Sequence, residues 1–321
     1  MGVTGTGTTL VIGATGTTGS RTTARLTAAG HRVRAAGRRA TPVPGAEPVA
    51  FDWYDPATHA AALDGVDRVY LIPPLGDPDP AAVMLPFLRR ARTAGTRRAV
   101  LLSSSAVPEG GPAVGVVHQA LPELFEQWAV LRPSWFMQNV TGMHAHARSI
   151  REDGTLWTAT GSGRVGFVDA DDIAAVALHI REDGTLWTAT GSGLVGFVDA
   201  DDIAAVALHA LTDDRAPNDD LVLTGPEALG YDDLAALITE VTGRPVVHRP
   251  ISREQLRDRL SALMSVEFAA LLADLDRAIA EGAEDRVTET VQRLTGRPPR
   301  TFRAFLEKEP GPTAAGAGAA R

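Results

Sequence analysis

Three glycines, Gly13, Gly16 and Gly19, stand three residues apart in "LVIGATGTTGS", directly after a short apolar run. Glycines at this spacing between a strand and a helix remove Cβ atoms where the backbone must turn sharply and approach a ligand. Amides at the start of the helix then point outward together, and the helix dipole adds favourable charge, so the place suits a pyrophosphate. Thr15, Thr17 and Thr18 add hydroxyl donors to the same turn. A glycine-rich turn without a ligand shares the bare pattern; the strand before it and the helix after it favour the nucleotide reading. The next apolar run ends in "RAAGRR", with no acid among residues 35–39. A carboxylate there would bind a ribose 2′-hydroxyl, whereas Arg38 and Arg39 suit a 2′-phosphate through charge-assisted bonds. The expected cofactor is NADP (NADPH), with NAD the less favoured choice. The alternative is that both arginines are only solvated surface groups.

Proton-transfer chemistry is harder to find. The tyrosines are Tyr54, Tyr70 and Tyr231, and Lys308 is the only lysine. No tyrosine has a lysine four residues on, so the relay in which a lysine lowers a tyrosine's pKa is not encoded. His118, in "VVHQALPELFEQ", is a candidate proton donor or ribose contact, although a lone histidine is more often structural. The absence of cysteine removes disulfides, thiolate metal sites and cysteine nucleophiles together. His144 and His146 are only two, and "DADD" lacks partners at a ligand spacing, so no metal site is expected.

Bulk composition narrows the classes further. With 44% hydrophobic and 22% charged residues, the 321-residue chain has the make-up of a soluble globular protein. A net charge of -8 argues against a broad nucleic-acid surface. No apolar run approaches ~18 residues, so no membrane span is expected. The start of the chain lacks the features of a signal peptide, and a cytoplasmic location is expected. The expected partner is a small-molecule substrate; the oligomeric state stays open.

The elements that must hold these residues alternate. Strand-like runs at Thr9–Gly13, "HRVRAAG", "EPVAFD", "DRVYLIPP", "RAVLLSSS", "WAVLRP" and Leu221–Gly225 are interleaved with helical stretches. That order implies an α/β fold: a Rossmann-like, doubly wound parallel sheet with helices on both faces. From Ser252 to Lys308 the chain reads mostly as helices, with a break at Gly282. This predicts a smaller, mainly helical C-terminal region on the substrate side. The expected divisions are a nucleotide-binding core over 1–149, a duplicated segment over 150–209, the rest of the sheet and helices over 210–308, and a disordered tail over 309–321.

The duplication is plain in the sequence. The 30 residues Ile150–His179 recur as Ile180–His209, differing only at Arg164 against Leu194. Solenoids need about three or more copies to bury a continuous core, so two near-identical copies mark a duplication inside an existing fold. Each copy reads as a strand "TLWTAT", a glycine-rich turn, a strand "VGFVD" and a helix "DDIAAVALH". Such a fold has room for one. The second copy is expected to dock, because it leads directly into the strand near Leu221.

Taken together, "GATGTTG", "FDWYDPATHAAAL", "VYLIPP", "LLSSSA" and "LRPSWFMQN" resemble the NmrA-like group of atypical short-chain dehydrogenase/reductases. Within that group the chain is most similar to the branch containing ergot alkaloid reductases of the festuclavine synthase type. The resemblance covers residues 7–308, interrupted by the extra 30. It implies that Asp52 and Trp53 lie near the adenine, and that Ile72, Pro73 and Pro74 run beside the cofactor. It also implies that Ser103 and Ser104 sit near the nicotinamide end, and that Trp135, Phe136, Gln138 and Asn139 shape the substrate side. Plainer roles are open for several: core packing for Trp135 and Phe136, a turn for the serines, a helix cap for Asn139. Ser104 and His118 are candidates for catalysis. Two function classes follow. One is an NADPH-dependent reductase whose iminium, quinone or enone substrate is already electrophilic and needs little acid assistance. The other is a non-catalytic NADP sensor or regulator. The aromatic "SWFMQN" segment favours the enzyme.

Overall fold

The computed structural model describes residues 7–74, 77, 79–138, 185–243, 245–261 and 266–308. The first copy of the duplication, the tail 309–321, His144 and His146 lie outside the described residues. The chain divides into two compact units. One holds Met1–Ser134, Ala200–Thr224 and Thr288–Pro299; the other holds Trp135–Asp199, Gly225–Val287 and Arg300–Arg321. The described strands are β1 (Thr8–Ile12), β2 (Arg32–Gly37), β3 (Glu47–Ala50), β4 (Val66–Leu71), β5 (Arg98–Leu102), β6 (Gln127–Pro133), β7 (Thr185–Thr188), β8 (Asp220–Leu223) and β9 (Val247–Pro250).

In the first unit, seven strands form one sheet in the order β3-β2-β1-β4-β5-β6-β8. Every pairing is parallel. Parallel sheets covered on both faces need near-continuous apolar strands, and the last four residues of β1 are all buried. The strand order reverses beside β1: β2 and β3 lie on one side, and β4 to β6 on the other. In such sheets ligands bind outside the carboxyl ends of the strands at the reversal. The carboxyl ends of β1, β2, β4 and β5 lead into Gly13, Arg38, Ile72 and Ser103, so the fold brings these expected site residues to one edge.

Helices close both faces. Helix α1 (Thr17–Ala28) turns Thr18, Gly19, Thr22, Thr23 and Leu26 inward. A short helix α2 (His59–Leu63) and α3 (Ala81–Thr93) follow. Met84, Phe87, Leu88 and Ala91 of α3 recur at helical spacing and enter the core with Phe51 and Trp53. Helix α4 (Gly115–Leu124) was not anticipated, because Pro122 interrupts its pattern and a glycine- and proline-rich stretch precedes it. Helix α5 (Ala200–Thr212) belongs to the second copy of the duplication and packs against α1. It is buried on almost every side, including Asp202. A buried carboxylate needs a partner, and Arg297 lies 2.7 Å from Asp202. Asp201 pairs with Arg21 at 3.3 Å.

In the second unit, β7 pairs in parallel with β9. The expected strand "VGFVD" is not formed in this copy. Val195 and Val198 make only isolated bridges, because the Phe197 amide turns back to the Val195 carbonyl. The core holds Met137, Leu186, Phe197, Tyr231, Phe302 and Phe305, with Phe197 edge-on to Tyr231 and Phe302 at 5.7 and 5.6 Å. A polar chain runs through it. Thr188 Oγ1 lies 2.7 Å from His248 Nε2, and His248 Nδ1 lies 3.0 Å from Asp232. Next to Thr188, the Ala189 amide donates to buried Asp276.

Burial pushes the Asp276 carboxyl up to about 7, against the opposing pull of the Ala189 amide. Folding thus raises its pKa, and the folded state holds the proton more tightly than the unfolded one. Its contribution to stability is complete below an unfolded pKa of ~4 and is lost as pH rises through about 7, amounting to at most about 4 kcal/mol. Asp276→Asn should remove this dependence. Melting temperatures measured from about pH 5 to about pH 8 should fall for the natural protein relative to the variant. A constant difference between them across that range would contradict the assignment.

Candidate functional site

The glycine turn is built by backbone alone. Gly13 has φ of +70°, a conformation side chains resist, and its amide and that of Ala14 both donate to the Ala36 carbonyl of β2. The Gly16 amide donates back to the Gly13 carbonyl at 3.0 Å. A Cβ at Gly19 would sit 2.0 Å from the Gly13 carbonyl oxygen, so α1 approaches the end of β1 as only glycine permits. Gly16 is different: its Cβ would meet only that carbonyl, at 3.4 Å, which is ordinary contact. The N-terminus of α1 has no side-chain cap and no acid in its first turn. Most helices satisfy these amides with a Ser, Thr, Asp or Asn cap; here a site for an anion remains. Thr15 is exposed and Thr17 half-buried at this end, whereas Thr18 turns inward and is buried.

Past β2, Arg38 and Arg39 are both exposed, and the Ala40 amide closes a turn onto the Gly37 carbonyl. Asp52 heads the turn after β3. Its Oδ1 accepts from the Tyr54 amide, and its carbonyl meets His59 Nε2 at 2.9 Å. Trp53 lies in the core, 8% exposed, with ring contacts to Phe51 and Phe87 at 4.9 and 5.2 Å. Its indole N–H donates to the Ile72 carbonyl at 3.1 Å. Ile72 in turn lies against Gly13, 3.2 Å from where a Cβ would stand. Pro73 and Pro74 follow it, half-buried.

The serine run after β5 separates into distinct roles. Ser104 Oγ accepts from the Ala106 amide and its carbonyl accepts from Val107, so this hydroxyl shapes the turn. Ser103 Oγ is buried and has no hydrogen-bond partner among the described residues. Buried hydroxyls usually find a partner, so this one is available to a ligand at the edge of the sheet. His118 on α4 is 3% exposed, and burial pushes its pKa down against the opposing pull of Asp220 and Glu109. It favours the neutral imidazole.

Each of the three tyrosines has a raised pKa. Tyr54 donates to Asp77, and burial together with that carboxylate pushes its pKa up to about 12. Tyr70 is wholly buried beside Thr18 and Thr22, and burial pushes it to about 12 as well. Tyr231 is buried in the second unit, with its pKa raised well above the ordinary value.

The second unit carries the "SWFMQ" residues. Trp135 is half-buried against that unit's core, and Phe136 bridges to Val198. The Gln138 amide donates to Asp199 at 2.7 Å, and Arg300 pairs with the same carboxylate. Gln138 is therefore held by a buried acid. Asn139 lies outside the described residues. No sequence pattern marked the arginines that hold buried acids, Arg297 and Arg300, nor Arg132 beside Asp220. The available signal for Arg132 was a charged residue inside the apolar strand "WAVLRP". Among the described residues no group of three or more His, Cys, Asp or Glu could hold a metal ion. No described helix is long and apolar enough to cross a membrane.

Comparison with known proteins agrees with this geometry. A family described as NAD(P)H-binding matches residues 13–214. An oxidoreductase of Bacillus subtilis is 41% identical, covering 92% of this chain and 93% of its own. Agroclavine dehydrogenase of Claviceps fusiformis is 35% identical, covering 80% of this chain and 81% of its own. In architecture, the chain is similar to the triphenylmethane reductase of Citrobacter sp. solved with NADP(H), with a TM-score of 0.69 at 21% identity over 94% of this chain and 99% of the other. The chain belongs to the NAD(P)H-binding family.

Proposed function

We propose that the protein is an NADPH-dependent reductase acting on a small organic substrate that is already electrophilic, of the iminium, quinone or enone type. The observation that carries this reading is the uncapped N-terminus of α1 behind Gly13 and Gly16, set at the reversal of the sheet. The donor set fits the cofactor. Gly13, Gly16 and Gly19, with Thr15 and Thr17, would hold the pyrophosphate by backbone amides and hydroxyls, with Thr18 buried behind them. Arg38 and Arg39 would hold the 2′-phosphate, with no acid among residues 35–39. Asp52, Ile72, Pro73 and Pro74 would flank the nucleoside. Ser103, with its unpartnered buried hydroxyl, would serve the nicotinamide end. When bound, NADPH supplies the hydride. Trp135, Phe136, Gln138 and Asn139 are the residues proposed for substrate contact, the two aromatic rings through apolar surface and the two amides through hydrogen bonds.

The proposal omits a tyrosine–lysine relay. Each tyrosine has its proton held more firmly than usual, and no lysine is spaced to release it. His118 favours its neutral form, and the Ser104 hydroxyl is engaged in its own turn. With no strong acid, an acceptor that gains hydride readily is the compatible substrate, and positioning supplies most of the acceleration. The name of the agroclavine dehydrogenase relative is in keeping with a reductive or oxidative step on a small alkaloid-like molecule. The direct test is NADPH consumption against iminium, quinone and enone compounds. Binding without oxidation across the panel would favour the sensor reading instead.

NADPH should bind more tightly than NADH. Arg38→Ala should weaken NADPH by about 1–3 kcal/mol, the scale of a charge-assisted contact to phosphate, and leave NADH unchanged. Fluorescence titration of both cofactors reads this directly; equal affinities before and after the change would refute the 2′-phosphate assignment. Turnover should also survive Tyr54→Phe, Tyr70→Phe and Tyr231→Phe taken in turn. A loss of about 100-fold at any one of them, the scale of a general acid, would show that a tyrosine donates the proton after all.

A further inference from the structure

We infer that Arg132 is a positioning residue, which together with Asp220 fixes the turn bearing Ser103. The inference rests on the cofactor reading above and concerns the nicotinamide end of that site. Arg132 stands on β6 with its side chain only 16% exposed. Its guanidinium is divided between two neighbours. Nη1 pairs with Asp220 at the start of β8. On the other side, Nη2 donates to the Ser105 carbonyl at 3.0 Å, and Nε lies 3.4 Å from the Ser104 carbonyl. A planar fork of this kind spreads its donors over two carbonyls and a carboxylate on opposite sides, a geometry that the compact ammonium of a lysine does not reproduce.

The turn is thus gripped from both of its polar sides by one strand. The amides of Ser103 and Ser105 donate to the Leu131 and Pro133 carbonyls of β6, extending the ladder beyond the end of β5. The carbonyls of Ser104 and Ser105 are taken by the Arg132 side chain. Ser104 Oγ is engaged by the Ala106 amide. Among the described residues, the Ser103 hydroxyl, at the carboxyl edge of the sheet, has no hydrogen-bond partner. Its direction is set by a backbone that Arg132 prevents from rotating. Asp220 sets the direction of the guanidinium and balances its charge. An arginine kept only for stability would need none of this alignment towards one turn.

The test separates the two ends of the cofactor. Dissociation constants would be measured for NADPH and for 2′-phospho-ADP-ribose, which lacks the nicotinamide, on the full chain and on Arg132→Lys, Ser103→Ala and the double variant. Arg132→Lys keeps the charge beside Asp220 and so avoids leaving that half-buried carboxylate alone. Arg132→Lys and Ser103→Ala should each weaken NADPH by about 10-fold, the loss of one good hydrogen bond, and leave the fragment within about 2-fold. The double variant should be no weaker than Ser103→Ala alone, since both changes act through one group. Two results would overturn the inference: Arg132→Lys binding both compounds as the natural protein does, or losing both equally with a fall in melting temperature. If the natural protein binds neither compound, the cofactor reading itself fails, and the inference with it.

Discussion

The approach of α1 to the end of β1 governs the architecture of the nucleotide-binding unit. A Cβ at Gly19 would lie 2.0 Å from the Gly13 carbonyl oxygen, a distance no side chain tolerates. Because that position is glycine, the helix begins directly over the strand end. Its first amides then face the carboxyl edge of the sheet, beside the strand-order reversal. Gly13, at φ of +70°, turns the chain into the helix without strain. Neighbouring parts are arranged around this contact. Trp53 holds the Ile72 carbonyl, and the Ile72 side chain closes against Gly13 from β4. A dipole with no cap and no acid is a cost in an empty fold and an asset in a site that takes a phosphate.

A second constraint is the handling of charge inside an apolar framework. The "DADD" segment places two wholly buried carboxylates, and each unit supplies its own arginine: Arg297 for Asp202 in one, Arg300 for Asp199 in the other. Removing either arginine would leave a buried charge uncompensated, which typically costs far more than a surface ion pair. Arg132 follows the same rule, but its guanidinium serves a turn as well as an acid. In this chain buried ion pairs fix the direction of nearby groups: Gln138 through Asp199 and the serine turn through Arg132.

Much of the sheet was legible because its signals are local. The apolar run before Gly13, the glycine spacing and the turns between strands each occupy a dozen residues or fewer. What escaped was non-local or masked by local breakers. Pro122 hid α4. Strand β9 was missed because its partner β7 is distant in the chain and their sheet has only two strands. The tight turn between Val195 and Phe197 broke an expected strand. At the site, the glycine spacing and the arginine pair are local signals, whereas the hydrogen bond from Trp53 to the Ile72 carbonyl spans 19 residues and has no local signature. Arg132 and Asp220 are 88 residues apart, and Asp199 and Arg300 are 101 apart, so no pattern in the sequence joins them. The duplicated copies differ at one position, so local sequence offers almost nothing to tell them apart. In residues 185–209, β7 pairs with β9 and α5 is buried.

The central claim is that the space at the start of α1 belongs to a pyrophosphate, and Gly16 allows it to be tested without disturbing the fold. An added methyl there meets only the Gly13 carbonyl at an ordinary distance, and the backbone at Gly16 is extended with negative φ. The measurement is NADPH affinity by titration for the natural protein and Gly16→Ala, with melting temperature recorded for both. The account predicts an unchanged melting temperature and NADPH binding weakened by about 10-fold or more, as a methyl displaces phosphate from the helix amides. A Gly16→Ala protein that binds NADPH as tightly as the natural one would contradict it.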